Sequence, residues 1–262
     1  MSVSWRLRYG GGGMSWIALL LIGVGTVDFA HALIDPLRRI RWVPEAIGAV
    51  VVIAFGLLSA LFGGDLAAVI VIAGIAVLWG FLAHPPQGSD KNPRPGIPLA
   101  LLSTTIFVGI LLAPVAGEVG GPVAAWTEQA PWAWVEAARP EAVLLAFGGL
   151  LVQISTGNVV VQLVLDVAKV ANPLDGVAGN NLKGGRLLGP LERLTIFGLG
   201  LTGSLAAAGL VVAAKGLIRW PELQSFRGES DGPSINDVTE YFLVGSFVSW
   251  MTSLVTLALV IT

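Results

Sequence analysis

Long apolar windows joined by short polar connections constrain this chain more than any other feature. A window of about 20 apolar residues can cross a hydrocarbon core of about 30 Å as a helix. Seven such windows cover residues 14–34, 44–62, 66–83, 97–116 and 142–169, with two more between 184 and 262. Only 12 % of the residues are charged, against about 25 % in soluble domains. The sequence therefore predicts an all-α integral membrane protein, a single polytopic bundle of six or seven transmembrane helices without a soluble domain.

Several classes of protein are excluded by composition and motifs. The chain has no cysteine, which excludes disulfides, thiolate metal ligands and cysteine nucleophiles. Its net charge of −2 and the lack of a basic run argue against a nucleic-acid partner. No phosphate-binding loop, dinucleotide fingerprint or nucleophile elbow is present. Residues 1–13 read as a flexible lead-in without a signal-peptide cleavage site.

The distribution of basic residues predicts the orientation, since Lys and Arg are enriched on the cytoplasmic side. If all seven windows cross, the first, third and fifth connections hold nine Lys and Arg residues and the other side holds six. We therefore expect the amino terminus outside. The connection 117–141 carries three tryptophans, Trp126, Trp132 and Trp134. They suit a segment at the lipid–water interface, and ordinary loop packing is the alternative.

A polar interruption lies in the middle of the fifth window. Its side chains are Gln153, Ser155, Thr156 and Asn158. Such an interruption is typical of a broken or re-entrant helix, whose freed backbone groups need protein or water around them. It also fits a short span followed by an amphipathic helix. The four side chains either line a solute path or hydrogen-bond between helices.

Acidic and imidazole side chains meet near the end of the first window. Asp28, His31 and Asp35 are spaced to share one helical face, and His84, the only other histidine, is expected on the same membrane side. These groups are ligands for zinc or iron and also components of proton relays. The alternative is neutralisation of the two carboxylates by three arginines that follow, Arg38, Arg39 and Arg41.

Charged residues also bracket the last two windows. Glu192 and Arg193 follow Gly189-Pro190, where a helix start would place a carboxylate at the positive end of the helix. Further along are Lys215, Arg219 and Glu222, and Glu240 opens the last window. A pair between Glu240 and one of the two basic side chains is either a functional site or a link between two helices.

Three blocks in the carboxy-terminal third carry a family resemblance: GRLLGPLERL, AAKGLIRWPE and EYFLVGS. With them, residues 184–262 resemble an uncharacterised family of bacterial and phage integral membrane proteins. One departure is Thr202-Gly203-Ser204, where the family has a Gly-Gln pair. The family has no established activity, so the resemblance implies a related fold in a bacterial inner membrane and no reaction.

Three functions fit these observations. The first is a non-catalytic subunit or scaffold of a larger membrane assembly, whose partners are lipid and other membrane proteins or copies of itself; the short loops and missing catalytic motifs favour it. The second is a small transporter or channel that uses the broken fifth segment with Asp28, His31 and the Glu192–Arg193 end. The third is a membrane enzyme with a metal at Asp28, His31 and His84, the only cofactor that the sequence suggests.

Overall fold

The described part of the chain is a bundle of helices. A computed structural model describes residues 13–34, 42–84, 92–170, 185–225 and 235–261, and these ranges contain no strand. Its helices are α1 (Ser15–Ile34), α2 (Val43–Leu58), α3 (Gly64–Ala83), α4 (Gly96–Leu112), α5 (Gly121–Glu128), α6 (Ala133–Glu136), α7 (Pro140–Leu151), α8 (Gly157–Ala168), α9 (Gly185–Leu201), α10 (Leu205–Ser225) and α11 (Ile235–Ile261). The predicted all-α bundle is confirmed.

Five helical segments of the described chain are long and apolar enough to cross a membrane: Ser15–Ile34, Gly64–Ala83, Gly96–Val115, Pro140–Ala168 and Thr239–Ile261. Two apolar helices are shorter, Val43–Leu58 and the stretch Leu205–Ala214 within α10. Large aliphatic and aromatic side chains are exposed along these helices, as expected for a surface that faces lipid. The composition and these helices together indicate a multi-pass membrane protein.

Helix α1 lies at the centre of the bundle. The next two helices in the chain, α2 and α3, run in opposite directions to each other. At its start, Ser15 Oγ donates to the carbonyl of Gly117 at 2.7 Å, and Trp16 Nε1 donates to Asp65 Oδ1 at 2.9 Å. We call this side the Gly117 end. The opposite side, where α1 and α3 finish and α2 begins, contains His84 and is called the His84 end. Helices α1 and α3 are therefore parallel, with α2 antiparallel between them.

The fifth window is one continuous helix, which corrects both sequence interpretations of it. Helices α7 and α8 are joined by a π-helical turn, Val152–Thr156, into a segment of 29 residues. A π-turn keeps the backbone hydrogen-bonded while adding one residue to the turn. The backbone therefore does not need to break at the polar residues. Ser155 Oγ lies 2.8 Å from the carbonyl oxygen of Leu151 and 2.9 Å from that of Gly25, which share its one proton, and this contact links the turn to α1.

The sixth window, in contrast, is two helices. Helix α9 ends at Leu201 and α10 begins at Leu205, and the turn between them includes Gly203 at a φ of 76°. Positive φ is accessible to glycine without steric cost. This turn consists of Thr202, Gly203 and Ser204.

Contacts along α9 fix the direction of the last three helices. Gly157 lies beside Arg193 and Gly149 beside Phe197, so α9 runs antiparallel to α7 and α8. Arg193 contacts Ser249, and Gly200 contacts Leu257, so α11 runs parallel to α9. Because α10 connects the end of α9 to the start of α11, it runs back to the His84 end.

The connection 117–141 contains the short helices α5 and α6. Its three tryptophans are exposed, Trp134 by 73 %. Glu141 Oε1 accepts a bond from the Val119 amide at 2.8 Å and closes this segment over the Gly117 end. An ordered segment with outward-facing indoles is the arrangement expected at a lipid–water interface.

Candidate functional site

Two carboxylates, two imidazoles and an indole form a cluster at the His84 end. We call Asp28, His31, Glu45, Trp79 and His84 the acid–histidine cluster. Helix α1 contributes the first two, the first turn of α2 contributes Glu45, and the end of α3 contributes the last two. These three helix ends meet here because α1 and α3 finish where α2 begins.

The cluster consists of two carboxylate–imidazole pairs. His84 Nε2 lies 2.9 Å from Asp28 Oδ1, and His31 Nε2 lies 3.2 Å from Glu45 Oε1. The two imidazoles stack with ring centroids 4.0 Å apart and an angle of 22° between the planes. Trp79 Nε1 also donates to Asp28 Oδ1 at 2.9 Å. The two pairs are therefore joined through their rings.

Burial separates the carboxylates from the imidazoles. The side chains of Asp28 and Glu45 are 0 % and 2 % exposed, whereas those of His84 and His31 are 25 % and 21 % exposed. One oxygen of each carboxylate, Asp28 Oδ2 and Glu45 Oε2, is buried without a hydrogen-bond partner among the described residues. A buried charged oxygen without a partner is costly. Each carboxylate is therefore left with one buried oxygen that no described residue satisfies.

Glu45 is held in a tight space on α3. A Cβ atom added at Gly80 would lie 2.8 Å from Glu45 Cγ and 3.2 Å from Glu45 Oε1. The absence of a side chain at Gly80 thus lets the glutamate cross α3 toward His31. The Glu45 carboxylate reaches the histidines only because this position is a glycine.

The arrangement suits proton exchange better than metal binding. The described ranges contain no group of three or more His, Asp or Glu side chains placed to hold one metal ion. The two pairs lie side by side and do not converge on one point. An imidazole that contacts solvent on one side and a buried carboxylate on the other is an arrangement found in proton relays.

Sequence reasoning found part of this cluster. It singled out Asp28, His31 and His84, which the structure brings together, while Asp35 and the three arginines after it lie outside the described residues. It missed Glu45 and Trp79. Glu45 looks like an ordinary first-turn carboxylate after a proline, and its one signal is an acidic residue inside an apolar window.

A second polar cluster surrounds Arg193, whose side chain is only 1 % exposed. Its Nε donates to the carbonyl of Gln153 at 3.0 Å, one terminal nitrogen donates to Ser249 Oγ at 3.2 Å, and the other to Asn158 Oδ1 at 2.7 Å. Gly157 makes room for the guanidinium, since an added Cβ would lie 2.7 Å from Cζ. The polar residues of the fifth window thus hold an arginine inside the bundle.

The burial of Arg193 changes the interpretation of Arg193 itself and of the polar residues in the fifth window. Helix α9 begins at Gly185, so Arg193 lies beyond its first turn and points into the bundle. Of the four polar side chains in the fifth window, Asn158 accepts a bond from Arg193 on α9, Gln153 accepts one from Ser253 on α11, and Ser155 donates to α1. Thr156 Oγ1 is buried without a hydrogen-bond partner among the described residues. The bonds favour interhelical hydrogen bonding over an open solute path.

The other charged residues at the ends of the last windows are not assembled into a described site. Lys215, Arg219 and Glu222 lie on α10, and their side chains are outside the described part of the structure. Glu240 is exposed on α11, and Glu192 is half-buried on α9. A pair of Glu240 with Lys215 or Arg219 stays a prediction.

Comparison with known proteins adds no assignment. No family model, curated protein or solved structure matches this chain.

Proposed function

We propose that this protein is a small transporter of a bacterial inner membrane that takes up and releases protons at the acid–histidine cluster. The observation that supports it is that each of two buried carboxylates bonds to a partly exposed imidazole. Ionisable groups at such depth are costly and in membrane proteins usually serve proton or solute movement. Of the three functions that the sequence permits, transport and the metal-dependent enzyme both use these groups, and the described residues include no three ligands placed to hold one metal ion.

The contacts suggest how protons would move. A proton from solvent reaches the imidazole of His84 or His31 first, because the rings are exposed and the carboxylates are not. It then passes along the hydrogen bond from Nε2 to Asp28 Oδ1 or to Glu45 Oε1. Trp79 keeps Asp28 oriented by its bond to Oδ1. The stacked rings allow the two pairs to influence each other's protonation.

The turn between α9 and α10 supports an orientation with the His84 end in the cytoplasm. If α10 returns to that end, Lys215, Arg219 and Arg227 join the basic residues of the first, third and fifth connections. Leaving out the buried Arg193, the other 14 Lys and Arg residues are then distributed eleven against three. Such a difference is typical of the cytoplasmic side. The amino terminus is then outside, as the sequence predicts.

The test is proton uptake by purified protein in liposomes that contain a pH-sensitive dye, driven by a potassium diffusion potential. We expect uptake by the wild type and its loss in Asp28→Asn and in Glu45→Gln. Glu136→Gln, which changes an exposed carboxylate on α6, is the matched control and should retain uptake. Equal uptake in Asp28→Asn and the wild type would exclude the proposal.

The purified protein also tests the hypothesis that this chain is a subunit of a larger membrane assembly. A stoichiometric protein partner in mild detergent, together with no proton uptake by the purified chain alone, would favour an assembly subunit. The resemblance of residues 184–262 to an uncharacterised membrane family is compatible with either function.

A further inference from the structure

The non-helical residues 117–120, which lead from α4 to α5 across the Gly117 end, are called the strap. We propose that the strap is a pH-sensitive cover of the Gly117 end, closed while Asp65 and Glu141 are ionised and released when they take up protons. The acid–histidine cluster lies at the opposite end of the bundle. The inference therefore does not depend on the proton proposal.

Two carboxylates from different helices hold the strap by its backbone. Asp65, in the first turn of α3, accepts the amide of Gly117 at 3.0 Å and, through the same oxygen, the indole of Trp16 at 2.9 Å. Glu141, in the first turn of α7, accepts the amide of Val119 at 2.8 Å. An ionised carboxylate accepts an N–H bond more strongly than a neutral carboxyl group does. Protonation therefore weakens both attachments.

The closed strap buries groups at the start of the bundle. Ser15, whose hydroxyl donates to the carbonyl of Gly117, is 0 % exposed. Val119 is buried in an apolar cluster with residues of α1 and α7. The remaining amide bond of the strap, from Gly120 to the carbonyl of Ser59 at 2.9 Å, does not titrate. Losing the two carboxylate bonds thus leaves the strap attached at fewer points and raises the population of an open form that exposes Ser15.

No fixed cation of the described chain holds these two carboxylates in the ionised state. Neither Asp65 nor Glu141 forms an ion pair with a described residue. Described residues of α1, α2 and α4 contribute no charged side chain at this end. The connection 117–141 contributes four, all exposed: Glu118, Glu128, Glu136 and Arg139. The end is therefore predominantly acidic, and its carboxylates are able to take up protons as the pH falls.

The experiment measures how often the strap is open. The chain has no cysteine, so Ser15→Cys places a single thiol beneath the strap, and Trp134→Cys, at a position that is 73 % exposed, is the reference. Both full-length variants are labelled in detergent with a dithiodipyridine, which reacts with thiols in acid as well as at neutral pH. The ratio of the two labelling rates reports the population in which Ser15→Cys is accessible.

At neutral pH, we expect this ratio to rise about fivefold in Asp65→Asn and in Glu141→Gln, because a hydrogen bond to a charged group is stronger than one to a neutral group by about that factor. The double variant should show a larger rise than either. Glu136→Gln, which neutralises an exposed carboxylate of the same connection, is the matched control and should keep the original ratio.

Acid should have the same effect on the chain that keeps both carboxylates. A bond that needs the ionised form is lost as the pH falls, and carboxyl groups ordinarily titrate near pH 4. Lowering the pH from about 7.5 to about 4 should therefore raise the ratio about two- to threefold. The double variant, which has no carboxylate left on the strap, should lack this rise.

Two results would overturn the proposal: an unchanged ratio in the double variant at neutral pH, or an acid-induced rise that is equally large in the double variant, which would indicate general unfolding by acid. Asp28→Asn separates this inference from the proton proposal. It should lose proton uptake and still show the acid-induced rise at Ser15→Cys.

Discussion

Replacing Gly157 with alanine should destabilise the protein strongly, although alanine is the better helix former. The new methyl group would overlap Arg193 Nε and lie 2.7 Å from Cζ and 3.0 Å from Cδ. Three hydrogen bonds hold the guanidinium against α8 and α11, so it cannot turn away without losing at least one of them. The methyl group and the arginine therefore compete for one space.

The expected change in the free energy of unfolding is the sum of three contributions. Overpacking costs about 1–3 kcal/mol, and the loss of one hydrogen bond to a charged group costs about 1.5–3 kcal/mol. The higher helix propensity of alanine offsets about 1 kcal/mol. The free energy of unfolding should therefore fall by about 1.5–5 kcal/mol.

The assay is unfolding by SDS in mixed micelles, followed by helical circular dichroism. Gly198→Ala on α9 is the control, because its Cβ has no neighbour within 4 Å; it should change stability by less than about 1 kcal/mol. In an Arg193→Ala background, Gly157→Ala should lose most of its effect, which a double-mutant cycle measures. Equal stability of Gly157→Ala and Gly198→Ala would refute the close contact between Gly157 and Arg193.

Three further outcomes test other parts of the structure. Gly80→Ala should displace Glu45 and reduce proton uptake in liposomes, and unchanged uptake would contradict the close contact of these residues. Trp79→Phe removes the bond to Asp28 and should lower the free energy of unfolding by about 1.5–3 kcal/mol, measured in the same micelles. In this cysteine-free chain, a cysteine at Thr202 should react with an impermeant maleimide from outside the cell, while one between α3 and α4 should not. An unreactive cysteine at Thr202 would argue against the turn.

Hydropathy was sufficient for the fold class and for the approximate position of most helices, because apolar length decides which segments can cross a membrane. It could not separate α9 from α10. The turn at Gly203 interrupts a hydrophobic stretch without a charge or a proline, so a single long span has the same composition. The course of α10 became clear only from contacts of Arg193 and Gly200 with α11.

The candidate site was predictable only where its residues share a helix. Asp28 and His31 are three positions apart on α1, and helical periodicity places them on one face. Glu45 reaches His31 from another helix, across a connection whose course no local pattern specifies. Arg193 was expected at a helix end because its position after Gly189-Pro190 resembles a helix start. Its burial depends on the π-turn, which forms through packing against α1 and α9.

The π-turn also makes Val152–Thr156 the place in the α7–α8 segment where the number of residues can change by one. A π-turn holds one residue more than an α-turn, so deleting one residue here leaves an ordinary α-helical turn. The helix on either side then keeps nearly the same orientation, and Asn158 still faces Arg193. In a segment without a π-turn the same deletion would rotate everything beyond it by about 100°.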